Sequence, residues 1–122
     1  MRKLVVSLLT ALLIHGATRS TPLRQAPLQE ADRRNPYQGE EAARRAGQKL
    51  YLRECAACHG RDARGGEHAP ALASPALRQA PAGVIFWVLR NGALWQGMPS
   101  FSHLPEQQRW QIITYLKALG AE

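Results

Sequence analysis

Both cysteines of this 122-residue chain fall in one five-residue segment, Cys55-Ala56-Ala57-Cys58-His59. No other feature constrains the fold as strongly. Two thiols separated by two residues and followed at once by an imidazole form the spacing by which haem is attached covalently. The thiols must reach two vinyl groups of one porphyrin and form thioethers. The adjacent His must then lie under the iron and supply its proximal nitrogen. Two other uses of these residues compete. A thioredoxin-like dithiol belongs in a βαβ pattern, and no such alternation is visible here. A zinc site takes four ligands, usually from two such clusters. Cys55, Cys58 and His59 could be joined by His68 or His103, but the second cysteine pair is missing.

A haem iron held by one His has a sixth position, and Met is among the side chains that fill it. Apart from Met1, the chain has one methionine, Met98, in Gly97-Met98-Pro99-Ser100-Phe101. It lies 39 residues after His59, far enough to cross to the opposite haem face. Gly97 and Pro99 make its surroundings a turn rather than a helix interior. The alternative is a gap-filling core methionine. His68, in a Gly-rich loop, and His103, just past the Met98 turn, are rival ligands.

The chain begins Met1-Arg2-Lys3, and an apolar run of 11 residues from Leu4 to Ile14 follows, broken only by Ser7 and Thr10. A basic start and a short apolar stretch read as a signal peptide over residues 1–20. The alternative is an uncleaved anchor, for which the run is well short of the roughly 20 apolar residues a spanning helix needs. Cleavage falls near Gly16-Ala17-Thr18 or Thr18-Arg19-Ser20, and no cysteine lies there to carry a lipid. Residues 21–39 are polar, contain Pro22, Pro27 and Pro36, and read as a linker or arm without a core of its own. Residues 40–122 form the compact domain. A core this small commonly depends on a staple, a metal or a cofactor.

The full chain has 16 basic and 9 acidic residues, a net charge of +7. Loss of Arg2, Lys3 and Arg19 with the leader reduces the basic count to 13 and the net charge to +4. A mildly basic surface suits an acidic protein or an anionic membrane face. No basic patch interleaved with aromatics and no nucleic-acid motif is present, so a nucleic-acid partner is not expected.

Periodicity predicts a helix from Glu40 to about Cys55, with Ala43, Gly47, Leu50 and Tyr51 on one face. A second is predicted from Pro105 to about Leu119, with Pro105 at its first position and Gly120 at its end. Its stripe is Ile112, Tyr115, Leu116 and Leu119, flanked by Trp110 and Ile113. The run Val84–Leu89 is apolar throughout and could be a strand or a helix. Pro81 before it and Asn91-Gly92 after it favour a short helix. The rest, including Gly65-Gly66 and Pro70 to Pro75, reads as loop. The expected fold class is all-α: three or so helices with long loops wrapped around one covalently bound haem.

Together these features resemble the class I c-type cytochromes, in the small bacterial mono-haem form. The features are Gly47 and Tyr51, the Cys55–His59 segment, Pro70 with Leu72, Gly97-Met98-Pro99, and Tyr115-Leu116. The resemblance covers about Glu40 to Gly120. It implies that the first and last helices cross closely at Gly47, with Tyr51 and Tyr115 packed there. It implies that the Pro70 carbonyl accepts a hydrogen bond from the free ring nitrogen of His59, and that Leu72 packs on the haem plane. Trp87, Trp95 and Arg90 are further candidates for haem contact.

The resemblance implies a periplasmic electron carrier rather than an enzyme. A six-coordinate His59/Met98 iron leaves no position for a substrate. The implied partners are a redox donor and acceptor, with a quinoprotein dehydrogenase and a terminal oxidase as candidates. The chain has few lysines, so the lysine ring of the longer mitochondrial proteins is not assumed. A haem enzyme or gas sensor with a displaceable sixth ligand is the alternative.

Overall fold

The helix predicted from Glu40 to Cys55 runs from Glu41 to Glu54 (α1) and buries the four residues its spacing selects, Ala43, Gly47, Leu50 and Tyr51. The computed structural model describes residues 21–119, so the proposed leader and Gly120 lie outside the described residues. Four further helices follow: Ala56–His59 (α2), Pro75–Gln79 (α3), Ala82–Asn91 (α4) and Glu106–Ala118 (α5). Among the described residues, an isolated antiparallel bridge between Ala93 and Met98 is the β-type pairing present.

The apolar run Val84–Leu89 lies in α4, which starts after Pro81 and stops at Gly92. Its Ile85, Phe86, Val88 and Leu89 are buried. In α5, Pro105 is the N-cap, one position earlier than expected. Trp110, Ile112, Ile113, Tyr115 and Leu116 are buried there, and so are Arg109 and Thr114. This helix is enclosed because α1, α3 and α4 all pack against it.

The α1–α5 crossing is a tight joint that bears on the site. A Cβ at Gly47 would lie 1.9 Å from the carbonyl oxygen of Gln111. Only a hydrogen at that position lets the two backbones approach. One turn further along, the Tyr51 and Tyr115 rings meet at 5.4 Å between centroids.

Helix α3 corrects the reading of the whole stretch between α2 and α4 as loop. Ser74 caps it by accepting from Leu77 N at 3.3 Å, and Pro75 occupies the first turn, where a missing N–H costs nothing. At its other end Lys117 Nζ donates to the carbonyls of Arg78 (2.5 Å) and Ala80, with Leu77 O at 3.5 Å. A cation there satisfies carbonyls that the helix leaves unpaired.

The segment 21–39 contains two short 3-10 turns, Pro22–Gln25 and Leu28–Asp32, neither with a buried residue. It has no core of its own, yet it is docked as an arm. The Glu30 carbonyl sits where a Cβ on Gly83 would be, 1.9 Å from that position. The Arg33 guanidinium lies 4.2 Å from the Phe86 centroid and 2.8 Å from Glu106 Oε1. Buried Asn35 donates to Thr114 Oγ1 at 2.9 Å and accepts from Tyr37 N at 2.9 Å. The half-exposed ion pair contributes about 0–1 kcal/mol, whereas an orphaned buried partner costs about 1–3 kcal/mol. Asn35 is therefore the main polar lock.

Candidate haem-attachment site

The attachment segment is shaped by the end of α1. Cys55 closes that helix, donating its N–H to Tyr51 O at 2.8 Å. The single turn α2 then starts, with Cys58 N and His59 N both directed to Cys55 O at 3.2 and 3.0 Å. Residues three and four positions apart share one face of a helical turn. Cys55, Cys58 and His59 have that relation. Gly60, at φ +85°, ends the turn, and its carbonyl accepts from Tyr51 Oη at 2.7 Å. The buried aromatic of the helix crossing thus fixes the end of the attachment turn.

His59 is buried, and its Nδ1 lies 2.8 Å from Pro70 O. A carbonyl can only accept, so in the neutral ring the proton sits on Nδ1 and Nε2 carries the lone pair. This is the tautomer a metal-binding imidazole needs, and a neighbouring acceptor of this kind orients such ligands. Pro70 is delivered by a loop folded back on itself. Gly65 N donates to His59 O at 2.8 Å, while Leu72 N and Ala73 N both donate to Ala63 O at 2.8 and 2.9 Å. Gly65 has φ +86°, and a Cβ there would lie within 3 Å of the backbone of residues 69–71. Ala63 is fully buried and has φ +60°, a left-handed conformation unusual for alanine.

The two thiols differ. Both are free, Cys55 buried and Cys58 exposed. Burial pushes the Cys55 thiol up to about 12, with Glu54 and Cys58 adding to the effect. A buried thiol of this kind is a poor redox nucleophile in the free protein. Among the described residues no three His, Cys, Asp or Glu side chains gather into a metal-binding group. His68 is 95% exposed and beside Glu67. His103 is exposed, its ring 5.9 Å from that of Phe101.

Met98 and Leu72 are both half-buried and packed against the core. The Met98 backbone is clamped to Ala93 by reciprocal hydrogen bonds of 2.9 and 3.1 Å. Gly97, at φ +87°, closes the intervening turn. Trp87 is half-buried, while Trp95 and Arg90 are exposed. Sequence reasoning missed Arg33, which ties the arm to α4 and α5, Asn35, which ties it to α5, and Arg109, which ties α5 to α4. Arg109 is buried with Nε and Nη1 unpaired, and its guanidinium lies 4.6 Å from the Phe86 centroid. Burial lowers its pKa, and the ring face takes the place of a hydrogen-bond acceptor.

The donor set fits a covalently attached haem. Cys55 and His59 are buried and Cys58 is exposed at one helical turn, the His59 ring is oriented by Pro70 O, and the Met98 thioether stands on a separate fixed turn. The model of one family, described as cytochrome C oxidase, cbb3-type, subunit III, matches residues 42–116. The chain belongs to this family of c-type cytochromes, whose cofactor is haem c. Among solved structures it is similar to cytochrome CL from the marine methylotrophic bacterium Methylophaga aminisulfidivorans MPT. The two are 24% identical over 68% of this chain, with a TM-score of 0.60, a likeness of fold. The match spans 57% of the length of that protein. A comparison with curated proteins gives no match.

Proposed function

We propose that this chain is an exported, periplasmic carrier of single electrons with one haem c. Cys55 and Cys58 form its thioethers, and His59 and Met98 are its axial ligands. Pro70 orients His59, and Leu72 packs on the haem. The observation that carries this reading is the 2.8 Å contact between His59 Nδ1 and Pro70 O. An imidazole anchored in this way leaves Nε2 for a metal, one residue after Cys58 and four after Cys55. The bound haem supplies reversible one-electron chemistry. The protein tunes it through the axial ligands, burial and hydrogen bonding, and a Met thioether raises the potential.

Residues 1–20 serve as the export leader, 21–39 as an arm and 40–122 as the cytochrome domain. No helix among the described residues is long and apolar enough to cross a membrane. A quinoprotein dehydrogenase is its proposed electron donor and a terminal oxidase its proposed acceptor. The net positive charge supports docking to an acidic partner or an anionic membrane face.

The test is expression in a host with haem-attachment machinery. The wild type should retain haem on a denaturing gel, and Cys55→Ala with Cys58→Ala should lose it. The oxidised spectrum should show the Met–iron absorption, which Met98→Ala removes while opening the reduced iron to CO. Ready CO binding by the wild type at neutral pH would overturn the Met98 assignment.

A further inference from the structure

Leu94 and Trp95 stand side by side, 71% and 68% exposed, on the 3-10 turn Leu94–Gln96 that leads into Met98. Isolated exposed apolar residues are ordinary, but an adjacent large pair on a fixed turn calls for a covering group. The turn is fixed from behind. Its ends are joined by the reciprocal Ala93–Met98 hydrogen bonds. Beyond it, Phe101 N donates to Leu89 O at 2.8 Å and Ser100 Oγ donates to Arg90 O at 2.6 Å. The side chains of Ala93 and Phe101 are buried. These contacts seat both ends of the turn on the C-terminal end of α4. With the turn's ends held in this way, the Leu94 and Trp95 side chains stand exposed on it.

We propose that Trp95, with Leu94, covers the haem on its Met98 side and keeps water from the Met98–iron bond. This rests on the His59/Met98 reading above. Trp95 and Met98 leave the same short turn, so their Cα atoms are at most about 11 Å apart. A flat macrocycle liganded by Met98 would extend beyond that sulfur and, as proposed, set one of its edges against the indole. Composition favours an apolar group over a charged protein face. From Asn91 to Ser102 the chain has no Asp, Glu, Lys or Arg, whereas docking surfaces for redox partners use charge for steering.

The experiment uses the holoprotein, with covalent haem verified on a denaturing gel. In the reduced, diamagnetic state, proton NMR should place the Trp95 indole resonances well away from those of tryptophan in a short peptide, displaced by the haem ring current. Trp95→Phe serves to assign them. Trp95→Ala should lower the reduction potential and speed displacement of Met98 by CO, because an apolar shell controls water access and potential. Trp95→Phe should keep both near wild type. Peptide-like indole resonances, or an unchanged potential in Trp95→Ala, would overturn the inference while leaving the attachment reading intact. A wild type without covalent haem would overturn both.

Discussion

Gly47 of α1 meets the backbone of Gln111 in α5 so closely that a Cβ would stand 1.9 Å from the Gln111 carbonyl oxygen and 2.6 Å from its carbon. No side-chain rotation relieves a contact with backbone, so any larger residue must push the helices apart. Tyr51 and Tyr115, packed beside the crossing, and the Cys55–His59 turn that Tyr51 anchors would move with them.

Gly47→Ala should therefore destabilise the protein even though alanine is the better helix former by about 1 kcal/mol. Overpacking costs typically 1–3 kcal/mol and more where backbone is involved. The expected net loss is about 2 kcal/mol or greater, read as a lower denaturant midpoint. An alanine variant as stable as wild type would show that the crossing tolerates separation.

Tyr51 gives the alkaline limb of the stability curve. Burial holds its phenol above the ordinary value of 10.0, with Cys55, Tyr115 and Asp62 adding to the effect. As pH rises past about 10, the unfolded chain releases this proton while the folded chain keeps it. The folded state then binds more protons, and stability falls with rising pH. The contribution is fully present below pH 10 and is lost toward the folded value. Tyr51→Phe should flatten this limb in denaturant titrations, and at neutral pH it should cost about 1 kcal/mol for the bond to Gly60 O.

Asn35 should govern the docking of the arm. Asn35→Ala removes the donor to Thr114 and the acceptor for Tyr37 N, leaving buried groups to find other partners at a cost of about 1–3 kcal/mol. Thr114 keeps its 3.0 Å bond to Trp110 O, so α5 itself should persist. Trypsin should then cut after Arg33 and Arg34 well before the helical body is attacked. Arg33→Ala should act more weakly, because its ion pair with Glu106 is exposed.

What the sequence disclosed follows from locality. The attachment segment and the two amphipathic helices are written in spacing over a few residues, and the Gly47 crossing is implied by the family resemblance. The buried face of α1 matches its spacing, whereas α5, enclosed by three helices, also buries Arg109 and Thr114 and leaves Leu119 half-buried. The ambiguity at Val84–Leu89 was real, because a helix buried among several neighbours loses its polar face. Pro81 and Gly92 at its two ends settled it. Helix α3 was hidden because it is one turn long and its stop is supplied by Lys117, about forty residues away in the chain. The arm was hidden for the same reason. Asn35 and Thr114 are 79 positions apart, and no local pattern marks either as a partner. The His59–Pro70 contact was implied by family resemblance alone, since its loop geometry rests on the positive φ of Ala63 and Gly65.

Gly65 provides the most direct test of how that loop serves the iron ligand. Its φ of +86° disfavours any side chain, and a Cβ would lie 2.7 Å from Ala71 N and 2.8 Å from Ala69 O. Gly65→Ala must move the 69–71 backbone, and with it the Pro70 carbonyl that accepts from His59 Nδ1. The left-handed strain alone costs about 1–3 kcal/mol, so the melting temperature should fall. Because the loop also orients the imidazole, the loss should extend to the metal site: outer acceptors of this kind change metal affinity about 10–100-fold. In the holoprotein the His59 Nδ1–H should exchange faster with solvent, and the axial ligand field seen by paramagnetic resonance should broaden. A variant that melts earlier with an unaltered His59 signal would make Gly65 a determinant of the loop alone and not of the ligand.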